Sequence, residues 1–171
     1  MYQIAEDSLF FAEFLKKYLS KLKNKNISYI DIGTGSGILP ETAEKFKLKS
    51  IEASDIDILS VKYASKRGIK AVKSDLFSNI KGKFDLITFN APYLQEDKYD
   101  RSLDTTGGKK GDETAVKFLK QAKKHLTKSG RIFLLISSLT PISRIKKFNP
   151  KISARKKLFF EELLILEFGS I

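Results

Sequence analysis

The chain has no cysteine, no tryptophan, one histidine, one methionine and four prolines among its 171 residues. Without cysteine there can be no disulfide framework, no thiolate metal site and no cysteine nucleophile. A single histidine excludes a multi-histidine metal site. No run approaches the ~20 apolar residues that a membrane span needs. The opening MYQIAEDSLFF puts acids ahead of the apolar residues, which is not the pattern of a signal peptide. These absences predict a soluble, cytoplasmic protein with no resident metal and no membrane contact. The length predicts one domain over residues 1–171, large enough to bury a core without staples.

Charge is abundant but one-sided. Lysine and arginine number 32 against 20 acids, a formal net charge of +12. Most of the excess is lysine, spread from Lys16 to Lys157 without a tract. A nucleic-acid or other anionic partner fits this balance. So does a plain solvated surface, because lysine is a point charge and arginine is the usual bidentate reader of phosphate.

Strand-like and helix-like segments alternate, which predicts an α/β fold: a doubly wound, Rossmann-like and mostly parallel sheet. A helix is expected over Asp7–Leu22, capped by Asp7 or Ser8. Strands are expected at Ile27–Ile32, Ser50–Ser54, Ile69–Val72, Phe84–Phe89 and Arg131–Ser137. FDLITF at 84–89 is almost entirely apolar, as a strand buried on both faces should be. Helices are expected across Leu39–Phe46, from an Asp57 cap to Lys66 with Gly68 as the stop, across Asp112–Leu126, and briefly near Ser143–Phe148. The runs Ile152–Phe160 and Leu163–Phe168 predict an antiparallel hairpin at one edge. Asn90–Lys110 is a long loop, a length that is usually functional or disordered.

Four places carry chemistry. Asp31-Ile32-Gly33-Thr34-Gly35-Ser36-Gly37 stands where a strand turns into a helix. Glycines there let the backbone turn tightly against a ligand, and the helix start offers free amides to an anionic group. The G-x-G-x-G spacing differs from the G-x-G-x-x-G of dinucleotide enzymes. Asp55, 20 residues past Gly35 at the end of the next strand, is suited to ribose hydroxyls. Asp75 ends the third strand, where it can accept from an adenine amino group or be an ordinary turn acid. Asn90-Ala91-Pro92-Tyr93 follows the apolar fourth strand, at the carboxyl end where open α/β sheets bind ligands. An Asn oxygen and a neighbouring carbonyl can together hold one planar NH2 group and free its lone pair for attack on a sulfonium methyl. His125 near a helix end reads as structural, and Phe10, Phe11 and Phe14 as core or as the rim of the pocket. The lysines of 109–124 read as a solvated helix face or, near the mouth of the site, as contacts for an anionic partner.

Taken in order, these motifs resemble the HemK family of protein-glutamine methyltransferases, in particular its short archaeal and eukaryotic branch. Tyr2 and Glu6-Asp7-Ser8 resemble the branch's opening motif, DIGTGSG its cofactor loop, Asn90, Pro92 and Tyr93 its Asn-Pro-Pro-Tyr motif, and Gly107-Gly108-Lys109-Lys110-Gly111 the glycines that follow. Ile4 and Ala91 depart from it, each standing where the family has proline. The resemblance implies a class I methyltransferase sheet with S-adenosyl-L-methionine as cofactor. It implies a cofactor site of Glu6, Asp7, Ser8, Asp31, Gly33, Thr34, Gly35, Gly37, Asp55, Ile56, Asp75, Leu76 and Asn90, and a catalytic motif of Asn90, Ala91, Pro92 and Tyr93. It further implies methylation of the Gly-Gly-Gln glutamine of a class I peptide release factor, and a small zinc-ribbon activator forming a heterodimer. Two other readings stay open: an amino-methyltransferase of adenine or guanine, with Tyr93 stacking a flipped base, and a non-catalytic subunit that keeps the fold.

Overall fold

In the computed structural model, which describes residues 5–93, 108 and 110–169, the chain alternates as its patterning predicts. The elements are α1 (Glu6–Lys21), β1 (Ser28–Ile32), α2 (Ile38–Glu44), β2 (Ser50–Asp55), α3 (Ile58–Lys66), β3 (Lys70–Lys73), β4 (Phe84–Asn90), α4 (Glu113–Ala122), β5 (Leu126–Ser137), β6 (Lys151–Lys157) and β7 (Glu162–Phe168). Two 3-10 turns, Lys123–His125 and Ile145–Phe148, follow α4 and β5.

The seven strands form one sheet in the order β3-β2-β1-β4-β5-β7-β6. All neighbours from β3 to β5 are parallel; β7 is antiparallel to both β5 and β6. The chain winds outward from β1 to β3, then returns to the other flank of β1 as β4. That reversal opens a crevice at the carboxyl ends of β1 and β4, where ligands of such sheets bind.

Both faces are covered. Phe11, Leu15 and Leu19 recur every four residues on α1 and are fully buried against Tyr29, Leu86, Phe133 and Ile165. On the opposite face Phe118 and Leu119 of α4 pack on Ile30, Ile87, Phe89 and Leu134. The near-continuous apolar runs of β4 and β5 follow from this double burial.

Several sequence expectations are corrected. Ala5, not Asp7 or Ser8, takes the N-cap position of α1, so those two polar residues lie inside its first turn. α4 ends at Ala122 rather than Leu126, because β5 already begins there. The register between β4 and β5 steps from Phe84↔Leu126 to Leu86↔Arg131, and this bulge absorbs Gly130 into the strand. The short helix near 143–148 is a 3-10 turn from Ile145. β6 stops at Lys157, leaving Phe159 and Phe160 exposed at the hairpin tip. Asp57 caps α3 as expected, accepting from the Leu59 and Ser60 amides. Tyr2, Ile4, Gly107, Lys109 and most of the expected loop (94–107) lie outside the described residues.

Candidate active site

At the carboxyl ends of β1, β2 and β4 the structure holds a cavity of about 280 Å³, near the lower end of ordinary ligand pockets. Of the residues expected at the site, Asp7, Ser8, Asp31, Gly33, Thr34, Gly35, Asp55, Ile56, Asp75, Leu76, Asn90, Ala91, Pro92 and Tyr93 line it. Glu6 and Gly37 do not. Glu6 points to solvent and faces Lys156 at 3.8 Å. Gly37 is the left-handed N-cap of α2, so its role is to turn the chain.

The glycine loop is built around Asp55. Gly33, Gly35 and Gly37 all have positive φ, 63°, 50° and 77°, a region L side chains avoid. A Cβ on Gly33 would also press within 3.0 Å of the Phe89 ring. The Asp55 carboxylate receives the Gly35 amide at 2.7 Å and the Asp57 amide at 2.8 Å. It thus clamps the loop while lining the cavity, and carboxylate oxygens have capacity for further donors such as hydroxyls.

The third strand leads into a turn held by Ser74, whose hydroxyl donates to the Leu76 carbonyl at 2.8 Å and accepts from the Asn79 amide at 3.0 Å. Leu76 adopts φ 49°, a left-handed conformation unusual for leucine, and this brings it to the cavity wall. Asp75 is half-exposed and pairs with Lys117 of α4 at 2.7 Å. Lys117 is therefore not merely part of a solvated helix face.

Beneath the cavity, Asp31 of β1 and Thr88 of β4 lie side by side in register. Thr88 donates to Asp31 Oδ1 at 2.6 Å, and Thr88 lies 2.7 Å from the Tyr29 hydroxyl, all three fully buried. Burial pushes the Asp31 carboxyl up to about 7, the Thr88 hydroxyl works against the rise, and the Asp55 charge adds to it. Thr88 was missed from the sequence; its signal was one hydroxyl within FDLITF, on the sheet face of Asp31.

Asn90 ends β4 with its two amide atoms in different circumstances. Nδ2 donates to Asp7 Oδ2 at 3.1 Å. Oδ1 is buried with no hydrogen-bond partner among the described residues. An unmet buried acceptor costs free energy unless a ligand supplies the donor. Next to it, burial holds the Tyr93 phenol well above its ordinary range, and the Asp7 and Glu161 carboxylates add to this. His125 is structural: it stacks on Phe77 and its Nδ1 lies 3.0 Å from the Gly82 carbonyl. Phe11 and Phe14 pack in the core under α1, away from the cavity. No His, Asp or Glu cluster among the described residues could hold a metal ion. No described helix is long and apolar enough to cross a membrane.

A glycine loop after β1, an acid ending β2 and a polar motif ending β4 stand on the sheet of a class I methyltransferase fold. Comparison with known proteins agrees. The family model of the methyltransferase small domain matches residues 11–157. A candidate protein N5-glutamine methyltransferase of Methanocaldococcus jannaschii is 37% identical, over 97% of this chain and 90% of its own. A release factor glutamine methyltransferase of Lactococcus lactis is 28% identical over 72% of this chain, which matches 52% of that protein's length. A ribosomal protein L11 methylase structure from Lactobacillus delbrueckii subsp. bulgaricus has the same fold, with a TM-score of 0.67 at 22% identity over 98% of this chain and 81% of that one. The chain belongs to the methyltransferase small-domain family, and it is an S-adenosyl-L-methionine-dependent methyltransferase.

Proposed function

We propose that this chain methylates the side-chain amide nitrogen of a glutamine in a protein substrate, and that the glutamine is that of a Gly-Gly-Gln loop in a class I peptide release factor. The observation that carries the reading is Asn90 Oδ1, a buried acceptor without a donor, at the wall of a cavity whose other end is the glycine loop. A target NH2 group meets that need, and the names of the two relatives above support glutamine as its source.

The cofactor, when bound, supplies an electrophilic methyl group on a sulfonium. Asp55 would accept from its ribose hydroxyls, Asp75 from its adenine amino group through the oxygen not held by Lys117, and Asp31 from its ammonium. Ile56 and Leu76 would pack against the adenine. Asn90 Oδ1 and the Ala91 carbonyl would accept both protons of the target NH2 and hold its nitrogen toward the methyl. Each hydrogen bond to those protons strengthens as the nitrogen gains positive charge, so the clamp acts in the transition state. Pro92 biases Ala91 toward an extended backbone, keeping its carbonyl in place without the family's proline. Tyr93, neutral across the working pH range, would cover the target.

The test is incubation with methyl-labelled S-adenosylmethionine and separate pools of release factor, tRNA and DNA, with and without a zinc-ribbon protein. Label on the Gly-Gly-Gln glutamine is the expected result. Label confined to RNA or DNA would transfer the clamp to an exocyclic base amine, the reading favoured by the +12 charge. A partner subunit is supported by apolar side chains left in solvent, including Leu59, Phe159 and Phe160. Co-expression with the zinc-ribbon protein should raise solubility and melting temperature; a monodisperse and fully active single chain would remove the heterodimer from the proposal.

A further inference from the structure

Asp7 and Asn90 are 83 residues apart in sequence, yet their side chains meet at the cavity wall. The meeting follows from the start of α1. With Ala5 at the N-cap, the first turn of the helix carries Asp7 inward, where it is 5% exposed. Its Oδ1 accepts from the Ser8 amide at 2.6 Å and the Ser8 hydroxyl at 3.2 Å, which fixes the carboxylate. Its Oδ2 then receives Asn90 Nδ2.

A primary amide has a donating end and an accepting end of nearly the same shape. Nothing in the packing of an asparagine selects between them; only its hydrogen-bond partners do. An ionised carboxylate has acceptors alone, so it can meet the NH2 end and not the carbonyl end. We propose that Asp7 is a positioning residue, which locks the Asn90 amide in the one orientation that leaves Oδ1 for the target and so makes the site accept an NH2 group.

The distinction matters most for a target that is itself a primary amide. A flipped Asn90 would offer Nδ2 and bind the carbonyl oxygen of the same glutamine, turning the target nitrogen away from the methyl donor. Asp7 thereby excludes an unproductive binding mode. This inference rests on the Asn90 clamp proposed above and adds to it the group that sets its polarity. It differs from the cofactor-ligand role that family resemblance implies for Asp7.

The experiment uses the full chain, uniformly labelled with ¹⁵N, as wild type, Asp7→Asn, Asp7→Ser and Asn90→Ala. The Asn90 side-chain amide signals are assigned by their loss in Asn90→Ala. In wild type one Nδ2 proton should lie downfield and exchange slowly, as a donor to a carboxylate does. In Asp7→Asn it should move upfield and exchange faster. Asp7→Ser, smaller and also able to donate, should do the same and serves if the first variant folds poorly. Methyl transfer to release factor at saturating cofactor should fall on the order of tenfold in Asp7→Asn, while the calorimetric Kd for S-adenosylhomocysteine changes less than about twofold. Adding Asp7→Asn to Asn90→Ala should cost nothing further, because the two residues act as one unit.

Unchanged Asn90 amide signals in both Asp7 variants would overturn the proposal, whatever the activity. So would a large loss of cofactor affinity without loss of turnover, which would make Asp7 a cofactor ligand. Full methylation by Asn90→Ala would instead overturn the clamp itself, a result distinct from full methylation by Asp7→Asn with Asn90→Ala inactive.

Discussion

Thr88 donates its hydroxyl to Asp31 at 2.6 Å, across two parallel strands that are not consecutive in the chain. This bond favours the ionised carboxylate against the burial that raises its pKa. Asp31 is thus held up to about 7 in the fold against 3.8 as a free side chain. Between those values the native state holds the extra proton, so this group makes the fold less stable as pH rises from about 4 to 7 and no worse beyond. A cofactor ammonium prefers the ionised form, so binding below pH 7 should release a proton. Affinity for S-adenosylhomocysteine should accordingly rise from pH 5.5 to 7.5, as read by calorimetry in buffers of different ionisation heat, and Asp31→Asn should flatten the profile. A wild-type profile already flat would show that Asp31 does not meet the cofactor.

Asp55→Ala should weaken cofactor binding by about 1 to 3 kcal/mol, since it leaves donors unpaired both on the ligand and on the Gly35 amide. Calorimetric titration measures it. Equal affinity in the variant would take Asp55 out of the cofactor site and leave it as a loop clamp.

Asn90→Ala should lower turnover by on the order of a hundredfold or more with little change in cofactor affinity, because its acceptor works mainly in the transition state. Asn90→Asp should lose part of the rate through the added charge. Ala91→Pro keeps the carbonyl but removes the amide that donates to the Leu135 carbonyl at 3.4 Å, so it should leave turnover nearly unchanged while lowering the melting temperature. Steady-state methylation with separate kcat and KM decides; lost cofactor binding in Asn90→Ala would make Asn90 a cofactor ligand and take it out of the clamp.

Gly130→Ala should destabilise the fold by about 1 to 3 kcal/mol, the usual cost of overpacking. Its Cβ would stand 2.6 Å from Leu126 Cδ1 and 3.1 Å from the Phe84 carbonyl at the β4–β5 bulge. Urea denaturation reads the loss; a wild-type midpoint would mean that the bulge repacks without strain.

The sheet was legible because the inner segments of β1, β4 and β5 are buried on both faces and so are mostly apolar. The glycine loop was legible because its turns need glycine, and the place of Asp55 at the end of β2 because its spacing follows from one βαβ unit. The misses have local causes. The β4–β5 bulge is a register effect that no single-strand pattern encodes, so the apolar pattern alone puts the start of β5 at Arg131 where the strand begins at Leu126. Phe159 and Phe160 carry strand propensity but sit at a hairpin tip, where Leu158 and Glu161 close the turn. Asp7 as the partner of Asn90, and Thr88 as the partner of Asp31, join positions far apart in the chain, and one sequence contains no trace of such pairs.

The placement of β7 bears on how the chain is made. It follows β6 in the sequence, yet it lies between β5 and β6 in the sheet, bonded to both. During synthesis β6 therefore emerges with no neighbour to join, and the outer flank of β5 stays open until Glu162–Phe168 has left the ribosome. A chain released before that point exposes an unpaired apolar edge, the kind of surface that aggregates and that chaperones and proteases recognise. Completion of the sheet thus waits on a late strand, and prematurely terminated products should be cleared rather than persist as partly built enzyme.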